Sequence, residues 1–207
     1  MLYKSKVLKG YKLKGSDGEI GKANEFYFDD QHWTIRYLLA DTGNWLTGRQ
    51  VLISPYALAT VEPVDQCILV NLSKKQIESS PSLDTHKPVS RQFEESYYGY
   101  YGYPMYWEGP YMWGGYPYLV RDERKWKEPV QAKKGWDPHL RSTNAVSSYC
   151  IQATDGEIGY VSDFIIDDET WAIRYLVVET GNCGRVTKSS FHRSGSNVLV
   201  GASPKSL

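Results

Sequence analysis

A stretch of about thirty residues occurs twice in this chain, and it limits the available folds more than any other feature. Asp17-Gly18-Glu19-Ile20-Gly21 returns 138 positions later as Asp155-Gly156-Glu157-Ile158-Gly159. At the same offset Phe26, Asp29-Asp30 and Trp33 return as Phe164, Asp167-Asp168 and Trp171. Ile35-Arg36-Tyr37-Leu38 and Thr42-Gly43-Asn44 return as Ile173-Arg174-Tyr175-Leu176 and Thr180-Gly181-Asn182, so 16 of the 29 positions from Ser16 to Asn44 are identical. Agreement of this kind marks a duplicated module. Two distant copies do not make a solenoid, so two similar domains are expected.

Size and charge narrow the function. A chain of 207 residues accommodates two small domains. Its 24 basic and 24 acidic residues cancel, which removes the positive field that a nucleic-acid wrapper or a polybasic membrane binder needs. No direct nucleic-acid partner is therefore expected. No apolar run approaches a membrane span, and Met1 to Lys6 has no apolar run behind its charges, so neither a transmembrane segment nor a signal peptide is expected. Cys67, Cys150 and Cys183 are an odd, scattered set. They suggest neither a disulfide framework nor a zinc cluster, and the expected setting is a reducing cytoplasm.

Local pattern points to strands. Tyr3 to Lys14 mixes basic and apolar residues, and the alternation of Tyr11 and Leu13 with Lys12 and Lys14 suits a half-buried strand. Ser16-Asp17-Gly18 is a hairpin signal, Glu19 to Phe28 reads as a strand, and Gly21 marks a bulge or a close backbone approach. Asp29 to His32 is a second turn, where each Asp serves the turn's own hydrogen bonds. Trp33 to Ala40 is the strongest strand, apolar on both faces. Gln50 to Ser54 is a further strand, and Ala59 to Pro63 with Cys67 to Asn71 forms a last hairpin. Ser73-Lys74-Lys75-Gln76 fits a capping box that opens a short helix. The fold class expected is mainly β: two small antiparallel barrels, closed because closure removes exposed edges.

These residues resemble a known family. Asp-Gly-Glu-Ile-Gly, Phe with a double Asp, Trp-x-Ile-Arg-Tyr-Leu, Thr-Gly-Asn-Trp and Gly-Arg-x-Val-Leu-Ile-Ser-Pro are similar to the PRC-barrel family. That family is named for the cytoplasmic domain of the photosynthetic reaction centre H subunit and also occurs in a ribosome-maturation factor. The resemblance covers about Tyr11 to Pro81 in the first copy and Tyr149 to Asn182 in the second. It implies PRC-type β-barrels acting as adaptors that bind other macromolecules, with no shared catalytic residues.

The organisation expected is a first barrel over residues 1–80, a Tyr/Gly/Pro-rich linker over 81–139, and a second barrel over 140–207. Tyr97, Tyr98, Tyr100, Tyr101, Tyr103 and Tyr106, with Trp107 and Trp113, stand among glycines and prolines, a spacing that reads as irregular. These rings either thicken the cores or form a sticky surface, which makes Tyr101, Tyr103, Trp107 and Trp113 possible partner-binding residues. The second copy departs after Asn182, with Cys183 in place of Trp45 and Val198-Leu199-Val200 as a delayed equivalent of Val51-Leu52-Ile53. It has no match for the last hairpin, so the second barrel reads as incomplete, with an open edge that predicts a homodimer.

Chemistry is sparse. No His-x-His, Cys-x-x-Cys, Gly-x-Ser-x-Gly or Walker A pattern occurs, so no metal, cofactor or catalytic residue is expected. Arg36 and Arg174, embedded among apolar residues, are expected to pair with Glu19 or Asp41 and with Glu157 or Glu179, or else to present a partner-binding fork. The function expected is a non-catalytic protein-binding or scaffold module with an unknown protein partner. A ribosome- or RNA-linked assembly factor is the alternative, and an enzyme of unknown reaction comes last.

Overall fold

A computed structural model describes residues 1–30, 32–46, 49–81, 91–106, 140–153, 156–180 and 198–200. The first copy runs β1 (Leu2–Lys4), the helical turn α1 (Ser5–Leu8), β2 (Lys12–Gly15), β3 (Gly18–Asp29), β4 (Thr34–Asp41), β5 (Gln50–Ile53), β6 (Leu58–Glu62), β7 (Cys67–Val70), α2 (Lys74–Glu78) and α3 (Arg91–Tyr101). The second runs β8 (Leu140–Ser142), α4 (Thr143–Val146), β9 (Cys150–Ala153), β10 (Gly156–Asp167), β11 (Ile173–Thr180) and β12 (Val198–Val200). The chain is mainly β, as expected, in two sheets. One has the order β5-β4-β3-β2-β7-β6, with β8 also on β3; the other is β1-β10-β11-β12, with β9 also on β10. Neither path of described strands closes on itself. Among the described residues no helix is long and apolar enough to cross a membrane.

The conserved-looking pieces of the repeat build the same long hairpin twice. Gly21 and Gly159 have φ of 152° and 149°, and a Cβ at either would collide with the carbonyl of Asp41 or Glu179 on the partner strand. The close backbone approach expected at Gly21 is therefore present in both copies. At the far end, the Trp33 amide donates to the Asp29 carbonyl at 2.7 Å, and Trp171 to Asp167 at 2.7 Å. Both tryptophans sit at positive φ, 55° and 57°, which costs a non-glycine residue about 1–2 kcal/mol. Burial of both indoles offsets that cost.

The two copies exchange their leading strands. β1 pairs with β10 of the second copy, Leu2 opposite Asp167 and Lys4 opposite Ile165. β8 pairs with β3 of the first copy in the same register, Leu140 opposite Asp29 and Ser142 opposite Tyr27. Each exchanged strand is anchored by an acid of the other copy. Asp163 accepts from the Ser5 hydroxyl at 2.6 Å and the Lys6 amide at 3.2 Å. Its equivalent Glu25 accepts from the Ser142 hydroxyl at 3.0 Å and from the Asn144 amide group. Between the copies Ile35 N–H donates to Trp171 O and Ile173 N–H to Trp33 O, and Thr34 bridges Ala172, its own equivalent. That bridge lies on a pseudo-two-fold axis. Phe28 meets Phe164 at 5.4 Å and Phe26 meets Trp171 at 6.2 Å, so one aromatic core spans both copies. The sheets therefore do not divide at the expected domain boundaries.

Other expectations fare unevenly. The β6–β7 hairpin forms, and α2 carries its Ser73–Gln76 capping box. The alternation of Tyr11 to Lys14 falls on β2, and α1 with Gly10, at φ 89°, separates it from β1, which leaves for the other copy. Val198-Leu199-Val200 does lie beside β11, but parallel, whereas β5 lies antiparallel on β4.

The reading of residues 91–101 as irregular linker is corrected. They form α3, because Phe93, Tyr97 and Tyr101 recur at helical spacing and bury one stripe against the first sheet. Gly99 takes the exposed side of the helix. Gly102, at φ 68°, ends it, with the Tyr103 amide reaching back to the Tyr98 carbonyl at 3.1 Å, the hydrogen bond of a left-handed cap.

Candidate functional site

Arg36, the β4 residue expected to matter, joins α3 in one polar cluster inside the first unit. Asp29 closes β3 and Arg36 lies across the hairpin on β4, where Nη2 donates to Asp29 Oδ2 at 2.9 Å. Asp29 stands opposite Thr34, so Arg36 is its diagonal cross-strand neighbour on the same face. The Arg36 side chain is 1% exposed, and its guanidinium lies 4.0 Å from the ring centre of Tyr106. Arg36 is held by a carboxylate, as expected, but by Asp29 rather than Glu19 or Asp41. Asp29 also accepts from the His32 amide, so it serves turn and ion pair together. Asp30 accepts from Arg141 Nε at 2.8 Å, and so holds the exchanged strand β8.

Glu94, fully buried on α3, is the centre of the cluster. Its Oε1 accepts from the hydroxyls of Tyr37 and Tyr106, each at 2.7 Å. The Tyr97 hydroxyl donates to the Leu52 carbonyl at 3.0 Å and accepts from the Ser54 amide at 2.9 Å, tying α3 to β5. Tyr37 meets Tyr97 edge-on at 5.5 Å and Tyr98 at 6.2 Å. Burial pushes the Tyr37, Tyr97 and Tyr98 hydroxyls far above the ordinary tyrosine value, with the Glu94 charge adding to it at Tyr37. Burial likewise raises Tyr56 to about 12.

Of the rings expected at a partner surface, Tyr101 and Tyr103 are half-buried and stack on each other at 5.4 Å, with Tyr103 also stacked on Tyr56 at 5.4 Å. Trp107 and Trp113 lie outside the described residues. The fully buried rings over the first sheet are Tyr97, Tyr98 and Tyr106. Sequence reasoning passed over Glu94, though its place one turn before Tyr98 was a legible signal.

The second copy repeats the pair but not its cover. Arg174 donates to Asp167 Oδ2 through Nε at 3.1 Å and Nη2 at 2.7 Å, where Glu157 or Glu179 was expected. Burial would raise the Asp167 carboxyl, but Arg174, the Glu169 amide and the Thr170 hydroxyl outweigh it and hold it below its ordinary value. Here the Arg side chain is 38% exposed. Tyr175 and Val177, equivalents of the buried Tyr37 and Leu39, are half-buried.

Two cysteines differ in state. Cys67 is a free thiol raised mainly by burial, whereas Cys150 is disulfide-bonded. Among the described residues no group of three or more His, Cys, Asp or Glu side chains is placed to hold a metal ion. In comparisons with known proteins, no family model matches the chain and no curated protein matches it.

Proposed function

We propose that the chain is a non-catalytic scaffold that binds proteins, built on two PRC-type barrel units fused through exchanged strands. One observation carries this reading. The β4 face of the first unit holds a tyrosine-rich helix through Glu94, Tyr37 and a ring stack, so the fold already receives a helix within its own chain. Its buried ion pairs support the same reading, because Asp29, Arg36 and Glu94 spend their charges on holding strands and helix together. Helix recognition by an apolar face with a few placed polar groups is a common binding mode.

The test is in-cell photo-crosslinking from the fully exposed Val64 position, read by mass spectrometry. A reproducible set of cross-linked proteins supports the scaffold. Ribosomal proteins would move the chain to the assembly-factor reading, and turnover of a metabolite by the purified chain would end the non-catalytic one.

A further inference from the structure

The pseudo-two-fold presents one sheet face in two conditions. On the first copy, Tyr37 and Leu39 are buried, Tyr37 against α3, and Arg36 lies against the ring of Tyr106. On the second, Ile165, Tyr175 and Val177 are half-buried and the Arg174 side chain is 38% exposed, against 1% for Arg36. The underlying frame is the same. Tyr27 faces Tyr37 and Glu25 faces Leu39, just as Ile165 faces Tyr175 and Asp163 faces Val177. Asp167 fixes Arg174 through two of its nitrogens, so the guanidinium is pre-organised rather than waving in solvent.

The chemistry that satisfies such a face is visible on the other copy. There the cover is a helix with Phe93, Tyr97 and Tyr101 four residues apart, and a carboxylate, Glu94, in the same stripe. We propose that the β11 face docks an amphipathic helix of a partner protein that has this composition: aromatic residues at i and i+4 beside a glutamate. The partner's carboxylate accepts from the Tyr175 hydroxyl beside the Asp167-held Arg174, while its rings cover Ile165, Tyr175 and Val177. The inference rests on the scaffold reading and names the partner class for it.

The experiment titrates a labelled synthetic peptide, with the sequence of residues 91–106, into the full chain and follows fluorescence anisotropy. Saturable binding with a Kd of about 1–100 µM is expected, an ordinary range for one short helix. Tyr175→Asp in the full chain should weaken it at least about tenfold, equivalent to roughly 1.4 kcal/mol. Arg174→Gln, at a partly exposed position, should act the same way, as should Glu94→Gln in the peptide. No saturable binding overturns the proposal, and so does binding indifferent to both full-chain variants, which would place the peptide elsewhere. Binding that emerges only after deletion of residues 107–139 would assign the face to this chain's own segment and overturn it too. Should the peptide fail while Val64 still captures proteins, the scaffold reading survives without this site. Should both fail, both readings fall.

Discussion

Arg36 and Arg174 are the same residue of the same motif, yet they should respond very differently to removal. Arg36→Ala removes the buried guanidinium from the Asp29 carboxylate and is expected to cost about 3–5 kcal/mol in urea unfolding. Arg174→Ala, at a partly exposed pair, should cost about 1 kcal/mol or less. Equal losses would contradict the burial argument. The tyrosines supply a second residue-level expectation. Their folded pKa values are raised, so their contribution to stability is complete below the unfolded value of about 10 and drains as pH rises past it. Tyrosinate absorbance in an alkaline titration should show a late group of residues ionising together with unfolding. Free ionisation of every tyrosine near pH 10 would refute this. That each arginine has a carboxylate was legible from an unpaired charge on an apolar strand. Which carboxylate was not, since sequence neighbours drew attention to Glu19 and Asp41. The decisive neighbour is diagonal across the hairpin, where Asp29 lies opposite Thr34.

Among the elements, α3 is the instructive case. Its glycines and tyrosines score poorly as helix formers, and local propensity therefore argued for an irregular linker. Burial of the Phe93-Tyr97-Tyr101 stripe overrides propensity, because most helix stability in proteins comes from packing. The two glycines then separate by role. Gly99 has open space where a Cβ would stand and no positive φ, so Gly99→Ala should stabilise by about 0.5–1 kcal/mol. Gly102 adopts φ 68°, so Gly102→Ala should destabilise by about 1 kcal/mol. Thermal melts of the two variants moving in the same direction would dispose of this assignment. The strands β2 to β7 and the capped α2 were readable because turn chemistry, alternation and capping all agreed there. β1 was not, because nothing in a three-residue strand says which sheet it joins.

For the whole molecule, the exchange is the property the sequence concealed. The 138-residue offset continues through β1 and β8, but only Leu2/Leu140 and Tyr11/Tyr149 are identical over the first fifteen positions. Strand pairing needs backbone and an anchoring acid more than particular side chains, so the equivalence left little trace. Removal of Met1 to Lys4 should therefore loosen the second sheet rather than the first. Hydrogen exchange is expected to rise at Ile165 to Asp167 while β4 and β5 stay protected; the reverse pattern would refute the exchange. A fragment of residues 1–106 has a spare β1 and an open stretch of β3 in the register that β8 fills. It should dimerise, Leu2 of one copy opposite Asp29 of the other, and a monomer in light scattering would count against this.

The exchanged β1 also has a consequence for the order of events during synthesis. Leu2 leaves the ribosome well before Asp167, its partner, which is made 165 residues later. At roughly 5–20 residues per second that is a wait on the order of 10–30 s. For all that time the nascent first unit carries a strand it cannot place and an edge at Tyr27 to Asp29 that nothing of its own fills. On a polysome, neighbouring nascent chains offer each other that same strand and that same edge. Crowded translation should therefore trap inter-chain pairs that dilute refolding of the finished chain never forms, and comparing the dimer fraction of the two preparations measures it.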